Sequence, residues 1–364
     1  MYNKFPQFYN KIFDYSLKKG THVKLIDIIR SSKIKDNNRI ILTTKHLYKE
    51  LPIRLANRVT DLNNLPFGLS KNHSINTVRE WYLTSFLELL EIKEPNSTNE
   101  IIEYKNVLHK IYNRHGTILM TISKGLNELK KENKIGDLEA PTMQLFLNRF
   151  YTNRTEIRIL IEQYLSFFEK PKGENYFGIV NLKAEPVKII RSVIEDIQFL
   201  CNKNKLNVEL DDIVKIKSCK NNIILPCIDH YLYYILFELV KNSIQATIEK
   251  KGLFHNYVPK IELSVIEIDE NWIVIKIEDN GIGIQELNMN KIWYYSFTTS
   301  VIDSTDIVEG SDFNKLSPLS GFGYGLPISD IYINFFNSST NNIKIDSIYK
   351  KGTVIYLYLR NHKL

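Results

Sequence analysis

The spacing of apolar residues changes near the middle of this chain, and that change constrains the fold more than any other feature. In the first half, apolar residues recur every three or four positions across stretches 77–92, 107–129 and 146–168, which predicts long amphipathic helices packed in a bundle. In the second half, short strand-like apolar runs alternate with helical ones. The sequence therefore predicts an α+β protein, with a helical-bundle domain over 1–170 and a helix-covered mixed sheet over 171–364.

Charge and cysteine content exclude several functional classes. The net charge of +7 comes from lysines that are scattered rather than gathered into a patch, so a nucleic-acid partner is not expected. No run of apolar residues is long enough to predict a transmembrane segment. The three cysteines lack CxxC spacing, which argues against a disulfide framework or a zinc site and favours a reducing compartment.

A predicted helix over 231–250 carries the first group of candidate functional residues. Glu238 and Asn242 lie four residues apart and therefore share one face, together with Lys241 and Gln245. An amide oxygen suits Mg²⁺, and the carboxylate one turn away can accept a proton from an attacking hydroxyl. Taken alone, the same pattern is also typical of a solvated helix face.

The second group is Asp279-Asn-Gly-Ile-Gly-Ile284, which follows a predicted strand. An acid at a strand end can accept a hydrogen bond from an exocyclic amine such as that of adenine. Gly281 and Gly283 would let a base or sugar lie close to the main chain. Taken alone, Asp-Asn-Gly also describes an ordinary turn.

The third group is Gly321-Phe-Gly-Tyr-Gly-Leu-Pro327, in which Pro327 suits the first turn of a helix. A glycine loop that opens a helix favours phosphate, because free N–H groups and the helix dipole meet there. The spacing matches neither the Rossmann fingerprint nor a Walker A loop. Residues 300–320 are expected to form a lid over the phosphates. The three groups in this order predict an ATP site.

This ordered set resembles the GHKL ATPases, which include histidine kinases, heat-shock chaperones, type II topoisomerases and mismatch-repair ATPases. The chain further resembles the mitochondrial 2-oxoacid dehydrogenase kinases over about residues 40–360. The segments that carry this resemblance are Leu51-Pro-Ile-Arg-Leu-Ala-Asn57, Arg79-Glu-Trp-Tyr-Leu-Thr-Ser-Phe86, Tyr112-Asn-Arg-His115, Phe146-Leu-Asn-Arg-Phe-Tyr151, Glu238-Leu-Val-Lys-Asn-Ser-Ile-Gln-Ala-Thr-Ile-Glu249, Ser320-Gly-Phe-Gly-Tyr-Gly-Leu-Pro-Ile-Ser329 and Lys351-Gly-Thr-Val-Ile-Tyr356.

The resemblance implies a helical bundle followed by a Bergerat-type α/β sandwich. It also implies transfer of the ATP γ-phosphate, with Mg²⁺, to a serine on the decarboxylase component of pyruvate or branched-chain 2-oxoacid dehydrogenase, which inactivates that component. Members of this family dock on the lipoyl domain of the complex and work as homodimers. The expected compartment is the mitochondrial matrix.

The resemblance also assigns roles to individual residues of this chain. Glu238 is the expected general base, with Lys241 neutralising charge beside it, and Asn242 is the expected Mg²⁺ ligand. Asp279 and Thr353 are expected to read adenine. The remaining expected nucleotide contacts are Gln245, Gly281, Gly283, Thr298, Thr299, Gly321, Phe322, Gly323, Tyr324, Gly325 and Leu326.

Three positions depart from the pyruvate dehydrogenase kinase pattern. Tyr234 stands one turn before Glu238 where those kinases have His and branched-chain kinases have Tyr. Asn280 and Gln245 stand where Arg is usual. A histidine kinase is the alternative, although Gly116 rather than an acid follows His115. A nucleotide-binding scaffold without phosphotransfer is the other alternative, which the presence of Glu238 disfavours.

Overall fold

The computed structural model describes residues 9–32, 36–65, 69–131, 140–203, 208–218, 223–254, 256–299 and 323–362. Within these ranges the chain forms two compact units. The first contains the described residues of 1–23 and 31–172, and the second contains 24–30 and the described residues from 173 onward. Residues 24–30, which the sequence analysis grouped with the helical bundle, belong to the second unit. In the described part of the chain, no helix combines the length and apolarity needed to cross a membrane.

The first unit is built from helices, as the apolar spacing predicted. Its helices, together with α2, whose residues belong mainly to the second unit, are α1 (Tyr9–Ser16), α2 (Leu25–Ser31), α3 (Asp36–Asn63), α4 (His73–Glu91), α5 (Thr98–Arg114), α6 (Ile118–Lys131) and α7 (Pro141–Ser166). Helix α3 packs against α4 and α7, and α5 also packs against α7. Apolar residues at the predicted spacing, such as Val78, Ile111 and Phe150, are fully buried between these helices.

The apolar stretch 107–129 is not one helix, contrary to the sequence prediction. Helix α5 ends at Arg114 and α6 begins at Ile118. The N–H of Gly116 donates to the carbonyl of Asn113, three residues back, at 3.1 Å. This tighter bond closes the helix, and glycine at the turn is a poor helix former. The apolar spacing continues across the break because both helices bury the same face.

The second unit contains a mixed sheet. Its strands and helices are β1 (Tyr176–Phe177), β2 (Val180–Ala184), α8 (Pro186–Lys203), α9 (Leu210–Ile213), β3 (Val214–Ser218), β4 (Leu225–Cys227), α10 (Asp229–Leu253), β5 (Ile261–Glu267), β6 (Trp272–Asp279), α11 (Gly325–Asn337), β7 (Ile343–Ile348) and β8 (Gly352–Arg360). The larger sheet has the order β3-β5-β6-β8-β7, and β3–β5 is its parallel pair. The other pairs are antiparallel. The α+β class with a mixed sheet is confirmed.

Helices cover one face of this sheet. Helix α10 packs against α8, α11 and β6, and α11 packs against β8. The interface is apolar, with Ile235 and Leu239 of α10, Ile275 of β6 and Leu357 of β8 all buried. Alternation along the strands sends the intervening side chains to the opposite face, as expected for a sheet covered on one side.

The strand register brings the candidate adenine-reading residues together. Strand β6 ends at Asp279, which pairs with Thr353 at the start of β8. On its other side, Asp279 pairs with Ile261 of β5. Residues far apart in the sequence therefore meet at one edge of the sheet, beside α10.

Candidate functional site

A cavity of about 330 Å³ lies in the second unit, between α10, the end of β6 and the beginning of α11. The residues singled out from the sequence that line it are Glu238, Asn242, Gln245, Asp279, Gly283, Thr298, Thr299, Gly323, Gly325, Leu326 and Thr353. Lys241, Gly281 and Tyr324 do not line it but lie directly behind residues that do. Gly321, Phe322 and the expected lid over 300–320 lie outside the described residues.

The candidate general base is held from two sides. Glu238 is 4% exposed, and its Oε1 accepts a hydrogen bond from Nζ of Lys241 at 2.8 Å. On the other side lies Gly325, the first residue of α11, where a methyl group would overlap Oε2 of Glu238. The carboxylate therefore has little room to rotate, and it faces the helix N-terminus.

Lys241 is completely buried, although the sequence analysis placed it on a polar helix face. Its Nζ contacts the carboxylate of Glu238 and also lies 5.6 Å from the ring centroid of Phe237. Because Lys241 does not line the cavity, it acts there through Glu238. A buried ammonium paired with a carboxylate is stable only while both partners remain. Direct charge neutralisation by Lys241 stays a prediction, and this geometry adds a role in orienting the base.

Asn242 is the residue of α10 that offers an exposed amide to the cavity. It lies one turn beyond Glu238, with Gln245 and Glu249 further along the same side of the cavity. Amide and carboxylate oxygens are hard donors of the kind that Mg²⁺ accepts when it also binds phosphate. The donor set at this end of the cavity therefore fits a nucleotide-bound magnesium ion.

Asp279 lies at the other end of the cavity and is 5% exposed. Burial raises the pKa of its carboxyl group, whereas hydrogen bonds from the backbone N–H of Gly281, at 2.9 Å to Oδ1, and of Thr353 oppose that rise. The Thr353 hydroxyl is hydrogen-bonded to Oγ of Ser347 at 2.9 Å. A buried acceptor beside an oriented hydroxyl fits the edge of a purine base.

The first two glycines allow close packing of the protein chain itself. A methyl group at Gly281 would come within 2.8 Å of the Ala246 backbone in α10. Gly283 has a φ of 70°, and a methyl group there would overlap the carbonyl of Ile348. The sequence analysis assigned both glycines to close approach of a base or sugar. The structure shows that Gly281 instead allows the turn after β6 to lie against α10.

The glycine loop before α11 is fastened to the segment that contains Thr298 and Thr299. Gly323 has a φ of 76° and lies against the backbone of Phe297. The carbonyl of Gly323 accepts from the N–H of Ser296 at 3.0 Å, and Oγ of Ser296 lies 2.9 Å from the Tyr324 hydroxyl. Ser296 itself has a φ of 63°. Sequence reasoning missed Ser296 and Ser347 because no local motif marks either residue.

Tyr234, one of the departures, lies behind the base rather than in the cavity. It is buried, and its ring packs edge-on against Tyr332 of α11, with centroids 5.3 Å apart. Burial, followed by the charge of Glu238, raises the pKa of Tyr234 well above its usual value. Tyr234 therefore stays neutral at any physiological pH and adds no charge beside Glu238.

Comparison with known proteins finds similarity in both halves of the chain. Residues 22–181 match the family described as mitochondrial branched-chain alpha-ketoacid dehydrogenase kinase, and residues 228–363 match the histidine kinase-, DNA gyrase B- and HSP90-like ATPases. Pyruvate dehydrogenase (acetyl-transferring) kinase isozyme 3 of Mus musculus is 31% identical over 322 residues, covering 86% of this chain and 75% of that protein. The corresponding kinase of Arabidopsis thaliana is 28% identical, covering 96% and 92%.

Proposed function

This chain belongs to the mitochondrial 2-oxoacid dehydrogenase kinase family of the GHKL superfamily, and from that membership we infer that it is an ATP-dependent protein serine kinase. Its protein substrate is a component of a 2-oxoacid dehydrogenase complex. We propose that this component is the decarboxylase and that phosphorylation inactivates it. The observation that carries the assignment is the fixed carboxylate of Glu238, which faces the N-terminus of α11 across a cavity with Asp279 at its far end.

In the proposed reaction, Glu238 accepts the proton of the substrate serine hydroxyl as its oxygen attacks the γ-phosphorus of ATP. Lys241 keeps the carboxylate oriented toward that hydroxyl through the 2.8 Å ion pair. N–H groups in the first turn of α11 stabilise charge on the transferred phosphoryl group. When bound, Mg²⁺ would neutralise phosphate charge, and Asn242 is its proposed protein ligand. Catalysis therefore depends on positioning more than on covalent chemistry.

At the other end of the cavity, we propose that Asp279 accepts a hydrogen bond from the adenine amine and that Thr353 contacts the same base edge. Thr298 and Thr299 would border the nucleotide on the side of the glycine loop. A phosphate contact from Gln245, where family members usually carry Arg, would lack a formal charge. These roles require no side chain from the first unit.

The helical unit is proposed to dock on the lipoyl domain of the complex, and the kinase is proposed to act as a homodimer. A mitochondrial location follows from the family, and we propose the matrix as the compartment. Both assignments make the complex, rather than the isolated decarboxylase, the preferred substrate.

A histidine kinase activity is disfavoured by the surroundings of His115. Its ring is 2% exposed, lies 4.6 Å from the ring centroid of Tyr82, and forms a 3.0 Å hydrogen bond between Nε2 and Oγ of Ser85. Burial, reinforced by the charge of Arg154, lowers the pKa of His115 to about 3. An imidazole enclosed in this way cannot reach a phosphate donor without opening the helical core.

The proposed activity is tested by transfer of ³²P from γ-labelled ATP in the presence of Mg²⁺. Pyruvate and branched-chain decarboxylase components are offered side by side, each with and without its lipoyl-bearing core. The expected result is labelled serine on one component, with more label when the core is present. Label on the kinase's own histidine would replace the assignment with a histidine kinase. Binding of ATP without any transfer would leave a nucleotide-binding scaffold.

A further inference from the structure

A lysine on α10 lies behind the base-reading edge of the sheet without entering the cavity. Nζ of Lys250 donates to the carbonyl oxygen of Asn280 at 2.6 Å and to that of Lys351 at 3.2 Å. The same ammonium lies 4.9 Å from the ring centroid of Tyr257. Lys250 does not line the cavity. Its effect on a bound nucleotide must therefore pass through other residues.

The two carbonyls belong to turns that carry the candidate adenine-reading residues. Asn280 directly follows Asp279, and Lys351 lies two residues before Thr353. Gly352, between them, has a φ of 150° and sits so close to the backbone of Asp279 that a methyl group would overlap its carbonyl. One ammonium thus joins the end of β6 to the turn between β7 and β8.

Asn280 extends this arrangement on the side away from the cavity. Its Oδ1 accepts hydrogen bonds from the Tyr257 hydroxyl at 2.5 Å and from the N–H of Lys260 at 2.8 Å, while Nδ2 donates to the carbonyl of Val258 at 2.9 Å. The amide is therefore fully used in fastening the segment before β5. An aspartate could not replace it, because a second oxygen would face the carbonyl of Val258.

Lys250, Tyr257 and Asn280 are called the brace below. We propose that Lys250, through the brace, is a positioning residue that holds Asp279 and Thr353 at the spacing needed to recognise the amine-bearing edge of adenine. This inference rests on the proposed ATP site and deepens it. A charged donor shared by two carbonyls restrains both turns more strongly than a neutral donor, because charge-assisted hydrogen bonds are the stronger kind.

The test measures recognition of the adenine amine by isothermal titration of the full chain with ADP and with purine riboside diphosphate, which lacks that amine. Lys250→Met should weaken ADP binding by about tenfold, the effect expected for loss of a charge-assisted hydrogen bond. Binding of the amine-free nucleotide should change less than about twofold, since it makes no contact with the Asp279 carboxylate. Lys250→Arg, which retains a charged donor, should restore most of the discrimination. Lys251→Met removes the exposed neighbouring lysine and serves as the matched control.

Tyr257→Phe provides a milder second variant, because it removes only the hydroxyl bond to Asn280 and keeps the ring beside Lys250. It should reduce discrimination in the same direction by a smaller factor. Equal weakening of both nucleotides by Lys250→Met, or wild-type discrimination in that variant, would overturn the positioning role. A wild-type protein that binds both nucleotides equally would overturn it together with the adenine assignment of Asp279. Failure of the kinase assay alongside normal discrimination would instead affect only the proposed phosphotransfer.

Discussion

Replacing Gly325 by alanine should separate catalysis from nucleotide binding. The backbone of Gly325 has an ordinary φ, so alanine is tolerated there except for its methyl group. That methyl would overlap Oε2 of Glu238 and would still lie 3.3 Å from its Cβ if the carboxylate turned away. Because Cβ cannot move independently of α10, the beginning of α11 must also shift by a few tenths of an ångström.

The magnitude follows from these two displacements. Overpacking of this kind costs about 1–3 kcal/mol of folding free energy. Moving the carboxylate by about 1 Å weakens its bond with Lys241 and misplaces the base, and a misplacement of that size lowers kcat by about 10²-fold. ADP affinity should fall by less than about threefold, because Asp279 and Thr353 at the far end of the cavity are untouched.

The assay combines kcat for serine phosphorylation with ADP titration and urea unfolding of the same preparation. Gly252→Ala is the matched control: Gly252 lies near the end of α10, a methyl group there would meet no atom within 4 Å, and alanine should be neutral or stabilising by up to about 1 kcal/mol. Wild-type kcat in the Gly325→Ala protein would refute the assignment of Glu238 as a base held against α11. An equal loss of ADP affinity and kcat would show that the cavity as a whole had collapsed.

Three further predictions concern buried ionisable groups. Glu238→Gln should lower kcat by about 10²–10⁴-fold with ADP binding retained, and should destabilise the protein by about 3–5 kcal/mol because Lys241 loses its charged partner; adding Lys241→Met should recover stability in urea unfolding but not activity. Asp279→Asn should weaken ADP binding yet raise the melting temperature at pH 7 by a few degrees, because the raised pKa of Asp279 means that its ionised form destabilises the fold above that pKa; a less stable variant would contradict this. His115 has a folded pKa of about 3, below its usual 6.5, so the stability that its neutral form contributes is complete above pH 6.5 and is lost as the pH falls toward 3. By pH 5 the loss should be about 2 kcal/mol, and His115→Gln should remove this pH dependence in urea titrations, whereas an unchanged slope would rule out His115 as its source.

The sequence was informative wherever function depends on local spacing. Glu238 and Asn242 share a side of α10 because four residues make about one turn, and this needs no tertiary information. The strand that ends at Asp279 and the glycine loop that opens α11 also follow from local pattern and turn chemistry. These elements carried both the superfamily assignment and the outline of the cavity.

Features that depend on contacts between distant segments could not be predicted in the same way. The burial of Lys241 follows from the position of α10 between α8, α11 and the sheet, whereas its local sequence resembles a polar face. The left-handed backbone of Ser296 is maintained by the glycine loop, which lies well beyond it in the sequence. Strand β3 was missed because its alternation of valine, isoleucine and lysine spans only five residues.

The pairing of Asp279 with Thr353 makes nucleotide affinity a measure of sheet assembly. A slip of one residue between β6 and β8 would turn one of these side chains to the opposite face, so only the native register can form the base-reading edge. ADP should therefore bind the folded unit and not partly assembled chains. At an ADP concentration about 100 times Kd, this selectivity would add about 2.7 kcal/mol to the free energy of unfolding. Nucleotide supply in the compartment would then influence how much of the kinase stays folded, independently of how fast it turns over.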